Sequence, residues 1–409
     1  MSEKLIGACI FGQSGGPTAV INASAYGVIS AALEAEEITK VYGASHGIKG
    51  VLDDKLYVMD EEDPEELRLL LHTPSSELGS CRYKIADPET DDTDYKRILE
   101  IFEKYNVRYF FYNGGNDSMD TCNKISKYMQ RVGYECRIMG IPKTIDNDLM
   151  CTDHTPGFGS AAKYVAATVQ EIARDSSVYS VKSVTVVEIM GRDAGWLTAS
   201  TCVLKANDEN APHLIYLPET PFSVERFLED VKRMLVEHNA VVVAVSEGLK
   251  LSDGEYAAEE FQSGHDDAFG HKYLSGIGKC LENIVRKEIG CKVRSIELNL
   301  LQRCAGHILS KTDIEESGNL GANAVKLAVA GESGLMSSLT RVSDAPYTVE
   351  YSGVDIREVA NKEKKIPVEW INEAGNGVKE ELITYLTPLV QGEVSSIYEN
   401  GMPSYLLLK

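Results

Sequence analysis

The chain has 409 residues, 43% hydrophobic and 25% charged, a length that fits two lobes or one domain with large insertions. Sixty-two acidic against 41 basic residues leave a net charge of −21, which argues against nucleic acid as a partner, because a phosphate backbone demands basic surface. No run approaches the roughly 18 apolar residues of a membrane span, and the first residues lack the basic and apolar regions of a secretory leader, so the expected address is the cytoplasm.

Strand and helix alternate from the start. Residues 5–11 are nearly continuous apolar sequence, as in a strand buried on both faces. Gly12-Gln13-Ser14-Gly15-Gly16-Pro17 interrupts it, and 18–34 reads as a helix with Pro17 at its first turn. A strand over 38–42 runs into a glycine-rich loop at 43–50, an acidic turn region at 52–64 and a short helix at 65–71. Residues 72–82 are polar and end on Gly79, Cys81 and Arg82. The spacing of Ile98, Ile101, Phe102 and Tyr105 predicts an amphipathic helix over 94–105. Strand 107–112 ends at Gly114-Gly115, helix 117–132 follows, and strand 136–141 leads into Pro142-Lys143-Thr144-Ile145-Asp146-Asn147-Asp148. Phe158, Ala162, Val165, Val169 and Ile172 mark another helix, and the β-branched strand 183–190 ends in Gly191-Arg192. Further on, 231–238 reads as helix, 240–246 as a strand ending in Glu247-Gly248, and 251–270 as a charged excursion. Helix 273–289, strand 292–297 and helix 314–330 follow. After about 335 the pattern weakens, and that part reads as strands and helices finishing the second lobe.

Buried strands alternating with helices imply an α/β fold: two lobes, each a largely parallel sheet flanked by helices, with a cleft between them. The expected division is an N-terminal lobe over 1–150, a second lobe over 151–335 and a C-terminal segment, 336–409, completing them. Nine scattered cysteines with no Cys-x-x-Cys read as reduced thiols rather than a disulfide framework or a zinc site.

The loops at the strand ends carry the chemistry, because parallel sheets hold ligands there. The glycines at 12–16 either cradle an anion at a helix N-terminus or form a plain tight turn. Asn116 or Asp117 can offer oxygen to Mg²⁺ or cap the following helix. Asp146 and Asp148 are two apart, so extended backbone would point both carboxylates to one side. One could then take a proton while the other sits near a metal. Arg192, Arg294 and Arg303 gain meaning only in company with these.

Taken together, Gly-Gln-Ser-Gly-Gly-Pro (12–17), Gly-Gly-Asn-Asp-Ser (114–118), Pro-Lys-Thr-Ile-Asp-Asn-Asp (142–148), Met-Gly-Arg (190–192), Ser-Glu-Gly (246–248) and Leu-Leu-Gln-Arg (300–303) resemble the phosphofructokinases, in that family's order over some 300 residues. The resemblance implies phosphoryl transfer to the 1-hydroxyl of fructose 6-phosphate, with Mg²⁺, in a cleft between the lobes. ATP-dependent members carry glycine where Asp117 and Lys143 stand here. A carboxylate at 117 would repel the α-phosphate of ATP, and an ammonium at 143 would pair with pyrophosphate oxygens. Both positions have the form seen in pyrophosphate-dependent members. An ATP-dependent enzyme of this fold, or a non-catalytic sugar-phosphate sensor that has kept it, are the alternatives.

The same resemblance makes Asp146 the base for the sugar hydroxyl, supported by Thr144 and by Asp148 near the metal, with Lys143 stabilising charge that develops in the transition state. It gives pyrophosphate to Gly15, Gly16 and Arg82, with Asp117 setting donor choice. It gives the sugar phosphate to Thr144, Asp146, Met190, Gly191, Arg192, Glu247, Arg294 and Arg303. Arg294 matches an arginine that in some members reaches across a subunit interface, and a homo-oligomer, dimer or tetramer, is expected. Three positions depart from the family pattern. Asn116 replaces a metal-binding aspartate, leaving Asn116, Asp117 or the substrate's own oxygens to hold Mg²⁺. Leu300 replaces a histidine, and Ser183 an arginine for which the adjacent Lys182 is the possible substitute.

Overall fold

The computed structural model describes residues 4–207, 211–258 and 276–408. Most of the expected charged excursion at 251–270, and the start of helix 273–289, lie outside them. The first sheet contains β1 (Gly7–Gln13), β2 (Ile38–Ala44), β3 (Leu56–Val58), β4 (Val107–Gly114) and β5 (Arg137–Pro142). The second contains β6 (Ser183–Ile189), β7 (Leu214–Tyr216), β8 (Ala240–Ser246) and β9 (Lys292–Glu297), in the order β7-β8-β6-β9, all parallel. Two later strands, β10 (Leu335–Asp344) and β11 (Tyr347–Asp355), complete the first sheet in the order β11-β10-β5-β4-β1-β2-β3. Its five inner strands are parallel, and β3 and β11 close its edges antiparallel.

Alternation along the strands builds a core on each face. In β4, Phe110 and Tyr112 join one apolar cluster while Tyr109 and Phe111 join the other. In β8, Val241, Val243 and Val245 point to one core and Val242 and Ala244 to the opposite one. Burying each such side chain is worth about 1.5–3 kcal/mol, so helices must cover both faces of each sheet.

The tail divides between the two sheets. Its strands join the first, Leu335 and Met336 pairing with Met139 and Gly140, while Ile371, Leu382, Ile383 and Leu386 pack into one core with Val187, Ile189, Val242 and Ala244 of the second. The helix Lys311–Val329 carries the chain back by lying on the helix Ile21–Glu34. Periodicity states which face of a strand is apolar, but it does not name the neighbouring strand. The first helix also begins later than expected, at Ile21. Pro17 lies in the loop ahead of it, where Gly15 takes a φ of +78° and Ser14 bridges to Cys81. The nine cysteines are all free, four of them buried and two exposed.

Candidate active site

The carboxyl ends of β1, β4 and β5 in one sheet and of β6 and β8 in the other open on a single cleft of about 890 Å³. Gly15, Gly16, Arg82, Asn116, Asp117, Lys143, Thr144, Asp146, Asp148, Met190, Arg192, Glu247 and Arg303 all line it. Loops far apart in sequence therefore meet because parallel strands end together.

After β1, Gly15 N donates to Cys81 O at 3.1 Å and Ser80 Oγ to Gly15 O at 2.6 Å, so the turn is pinned to the segment carrying Arg82. A Cβ at Gly16 would meet an Arg303 guanidinium nitrogen at 3.1 Å and one of Arg82 at 3.8 Å. Two guanidiniums thus face a turn that has no side chain of its own. After β4, the helix Asn116–Val132 starts at the cleft, which Gly115 to Ser118 line, and a helix N-terminus favours an anion there. Gly115 is its N-cap, with no side-chain cap bond, so neither Asn116 nor Asp117 serves as the cap. Asn116 Nδ2 instead donates to Asp148 Oδ2 at 3.2 Å, while Asn116 Oδ1 and Asp148 Oδ1 are buried without a hydrogen-bond partner among the described residues.

Lys143 follows β5, and its ammonium donates to Gly16 O at 2.7 Å. Burial pushes its pKa down to about 8, against the opposing pull of Asp146 and Asp148. Thr144 Oγ1 accepts from Asp146 N at 3.1 Å, which curls the backbone. Asn147 then adopts a φ of +54°, so the backbone is not extended between the two carboxylates. They reach one cleft through a turn whose middle residue points inward, Asn147 Nδ2 donating to Tyr385 OH at 3.0 Å. Burial raises the Asp146 pKa, opposed by the charges of Arg192 and Lys143. Burial and then the Asp146 charge raise Asp148 to about 7.

The second sheet supplies the facing wall. Gly191, at a φ of +131°, donates its N–H to Glu247 Oε1 at 3.2 Å, and Ser246 Oγ donates to Gly191 O, locking the two strand ends together. Burial lifts Glu247 to about 8, against that amide. Arg192 Nε donates to Asp193 Oδ2 at 2.9 Å. Burial works against ionisation of Asp193, but hydrogen bonds from Lys250, Arg192 and Tyr256 override it and hold its pKa at about 2. That carboxylate holds the guanidinium in orientation.

Two expected contacts are not made within this chain. Arg294 lies outside the cleft lining, its side chain near half-exposed and 3.8 Å from Asp175. Lys182 donates to Leu235 O at the amino end of β6, the end opposite the cleft, so it does not replace the missing arginine here. Ser118, Asn299, Asn361 and Glu363 line the cleft without having been singled out in the sequence. Asn361 and Glu363 had no readable signal, because they enter only through the tail's return to the first sheet. Ser118 belonged to a motif already noted and could have been taken with it.

Fold and cleft together define a two-sheet α/β protein whose strand ends gather cations and carboxylates around a glycine turn. A family model described as phosphofructokinase matches residues 8–328. The chain belongs to the phosphofructokinase family. It is 41% identical over 396 residues to the pyrophosphate–fructose 6-phosphate 1-phosphotransferase of Halomonas elongata, covering 96% of this chain and 94% of that protein. The enzyme of the same name from Methylococcus capsulatus is 41% identical over 401 residues, with 97% and 95% covered. The crystal structure of a pyrophosphate-dependent phosphofructokinase from Marinobacter aquaeolei superposes with a TM-score of 0.88 at 38% identity, covering 99% of this chain and 96% of that one.

Proposed function

We propose that this chain transfers a phosphoryl group reversibly from pyrophosphate to the 1-hydroxyl of fructose 6-phosphate, giving fructose 1,6-bisphosphate and phosphate. One observation carries the reading: Lys143 and Asp146 stand on the same loop in one cleft, the ammonium on the Gly15–Gly16 turn and the carboxylate within the field of Arg192. In this reading Gly15, Gly16, Arg82 and Lys143 hold pyrophosphate. Asp117 disfavours the longer, charged tail of a nucleotide by repulsion. Met190, Gly191, Arg192, Glu247 and Arg303 receive the sugar phosphate, with Arg303 also bordering the donor turn.

Asp146 takes the proton of the 1-hydroxyl as that oxygen bonds to the terminal phosphorus and the bond to the bridging oxygen breaks. Burial makes this carboxylate a stronger base than one in water. Lys143 stabilises the charge gathering on the departing phosphate. Thr144 and Asp148 hold the loop in place. The donor set suits Mg²⁺: two buried oxygens with no hydrogen-bond partner among the described residues, on Asn116 and Asp148, belong to residues that line the same cleft as Asp117. When bound, the ion would neutralise phosphate oxygens of the substrate.

A coupled assay with pyrophosphate or ATP as sole donor tests the reading. Turnover with pyrophosphate alone is expected, and strong ATP activity with none from pyrophosphate would overturn it. Asp146→Asn should cut turnover by about two to four powers of ten, the usual worth of a positioned base, while the sugar phosphate still binds. Near-normal turnover in that variant would remove Asp146 from the role. We further read the protein as cytoplasmic, and as a homo-oligomer, dimer or tetramer, the latter because Arg294 lies outside its own chain's cleft. Light scattering would test this, a monomer being the contrary result. No helix among the described residues is long and apolar enough to cross a membrane.

A further inference from the structure

Behind the loop 143–148 lies a closed ring of hydrogen bonds whose members come from three parts of the chain. The ammonium of Lys364 donates to Asp153 O at 2.6 Å, Thr152 O at 3.2 Å and Asn147 Oδ1 at 3.5 Å. Asn147 Nδ2 donates to Tyr385 OH, which itself donates to Asp153 O at 2.7 Å and so completes the ring. The backbone of Lys364 takes part as well, its N–H donating to Asp148 O at 2.6 Å. Thr155 N also donates to Asn147 Oδ1, at 3.1 Å. Every contact falls on residues 147–155, the stretch that follows Asp146 directly.

Lys364 is also anchored from the other side. Its carbonyl accepts from Trp196 Nε1 at 3.0 Å, and its ammonium lies 5.5 Å from the centre of that ring. Two residues on, Ile366 N donates to Glu219 Oε1 at 3.2 Å, a carboxylate that also takes Gly195 N at 2.8 Å. Trp196 and Gly195 follow the Met190–Arg192 loop of the second sheet. The segment 364–366 therefore ties the loop after β5 to the region following β6.

The ring opposes a specific instability. Asn147 holds a left-handed φ, which a non-glycine residue adopts only at some cost. Both of its side-chain groups are used to hold it there. An ammonium placed among three oxygen acceptors, rather than in water, is kept only where those acceptors have fixed positions. We infer that Lys364 is a positioning residue: acting through Asn147 and the Asp148 backbone, it fixes the direction in which Asp146 and Asp148 enter the cleft. The inference rests on the reading of Asp146 as base. It assigns a task to a tail segment that none of the sequence motifs contains.

The test compares Lys364→Met, Tyr385→Phe, the double variant and Asp146→Asn with the unsubstituted protein. Lys364→Met should lower kcat about 10- to 100-fold, since a displacement near 1 Å at the reacting group can cost that much. The KM values for pyrophosphate and fructose 6-phosphate should stay within about threefold. Tyr385→Phe should lower kcat in the same sense by a smaller factor, and the double variant should lose less than the product of the two, because both hold one loop. A merely structural role would lower the melting temperature and leave kcat of the folded protein unchanged. Folded Lys364→Met and Tyr385→Phe proteins with kcat within twofold of the parent would overturn the inference. If Asp146→Asn alone lost turnover, the base would stand and the positioning role would fall. Hydrogen exchange gives a readout free of turnover: amides 147–155 should exchange about tenfold faster in Lys364→Met, or in Tyr385→Phe if the first does not fold. Unchanged exchange there would also overturn the inference, whatever the assay shows.

Discussion

Asp146 and Lys143 are three residues apart in sequence, and burial acts on them in opposite senses. It raises the carboxylate's pKa and lowers the ammonium's, so each is drawn toward its neutral form unless the other's charge holds it. That balance gives a pH dependence with a definite sign. Lys143 has a folded-state pKa of about 8, below its ordinary value, so its positive charge is present at lower pH and lost as pH rises through 8. A bound polyanion would favour the charged form, so the loss belongs to the free enzyme and should appear in kcat/KM for pyrophosphate more than in kcat. We expect kcat/KM to decline above about pH 8, and the decline to move to higher pH in Lys143→Arg, whose guanidinium keeps its proton. A pH–rate profile that is flat from pH 7 to 9.5 would refute this. The residues of the loop were legible in the sequence because their types are unusual in company. What holds Asn147 in its turn was not fully legible: beside the local Thr144–Asp146 bond, its side chain is held by Tyr385 and Lys364, more than 200 residues away.

At the scale of elements, the helices Ile21–Glu34 and Lys311–Val329 pack backbone against backbone. A Cβ at Gly27 would lie 2.0 Å from Gly318 O, and one at Gly321 would lie 2.4 Å from Ser24 O. On an exposed helix, glycine to alanine would add stability, by about 1 kcal/mol. Here backbone stands against backbone and cannot yield cheaply. Gly27→Ala should therefore destabilise, by about 1–3 kcal/mol from overpacking, read as an earlier midpoint in urea. A later midpoint would show that the two helices can separate freely. Strand interiors were the most legible elements, since apolar runs such as that of β8 allow little else. Helix starts were less legible. Pro17 suggested a first turn, yet the loop to Ile21 is longer because Gln13 Nε2 and Thr73 O are bound to the side chain of Asn22, fixing where the helix begins.

Over the whole molecule, the chain leaves the first sheet after β5, builds the second, and returns to add β10 and β11. The return covers β5, whose edge would otherwise be unpaired beside the reactive loop. A chain ended at Ala330 would expose that edge and lose Lys364 and Tyr385 from behind Asn147. We expect such a chain to aggregate, since an open apolar strand edge is a template for pairing. A soluble, cooperatively melting product would contradict this. The return also brings Asn361 and Glu363 to the cleft.

The sequence by itself determined the kinds of elements, the parallel character of the sheets, and which loops carry charge and glycine, because these follow from local periodicity and residue chemistry. It also placed the chain among the phosphofructokinases through six short motifs. The tertiary structure alone decided which sheet the tail joins, that Arg294 and Lys182 lie away from their own cleft, and that Lys364 closes a ring behind Asp146. Those outcomes depend on strand neighbours and on contacts between distant segments. A hydrophobic pattern repeating every two or every 3.6 residues contains no term for either.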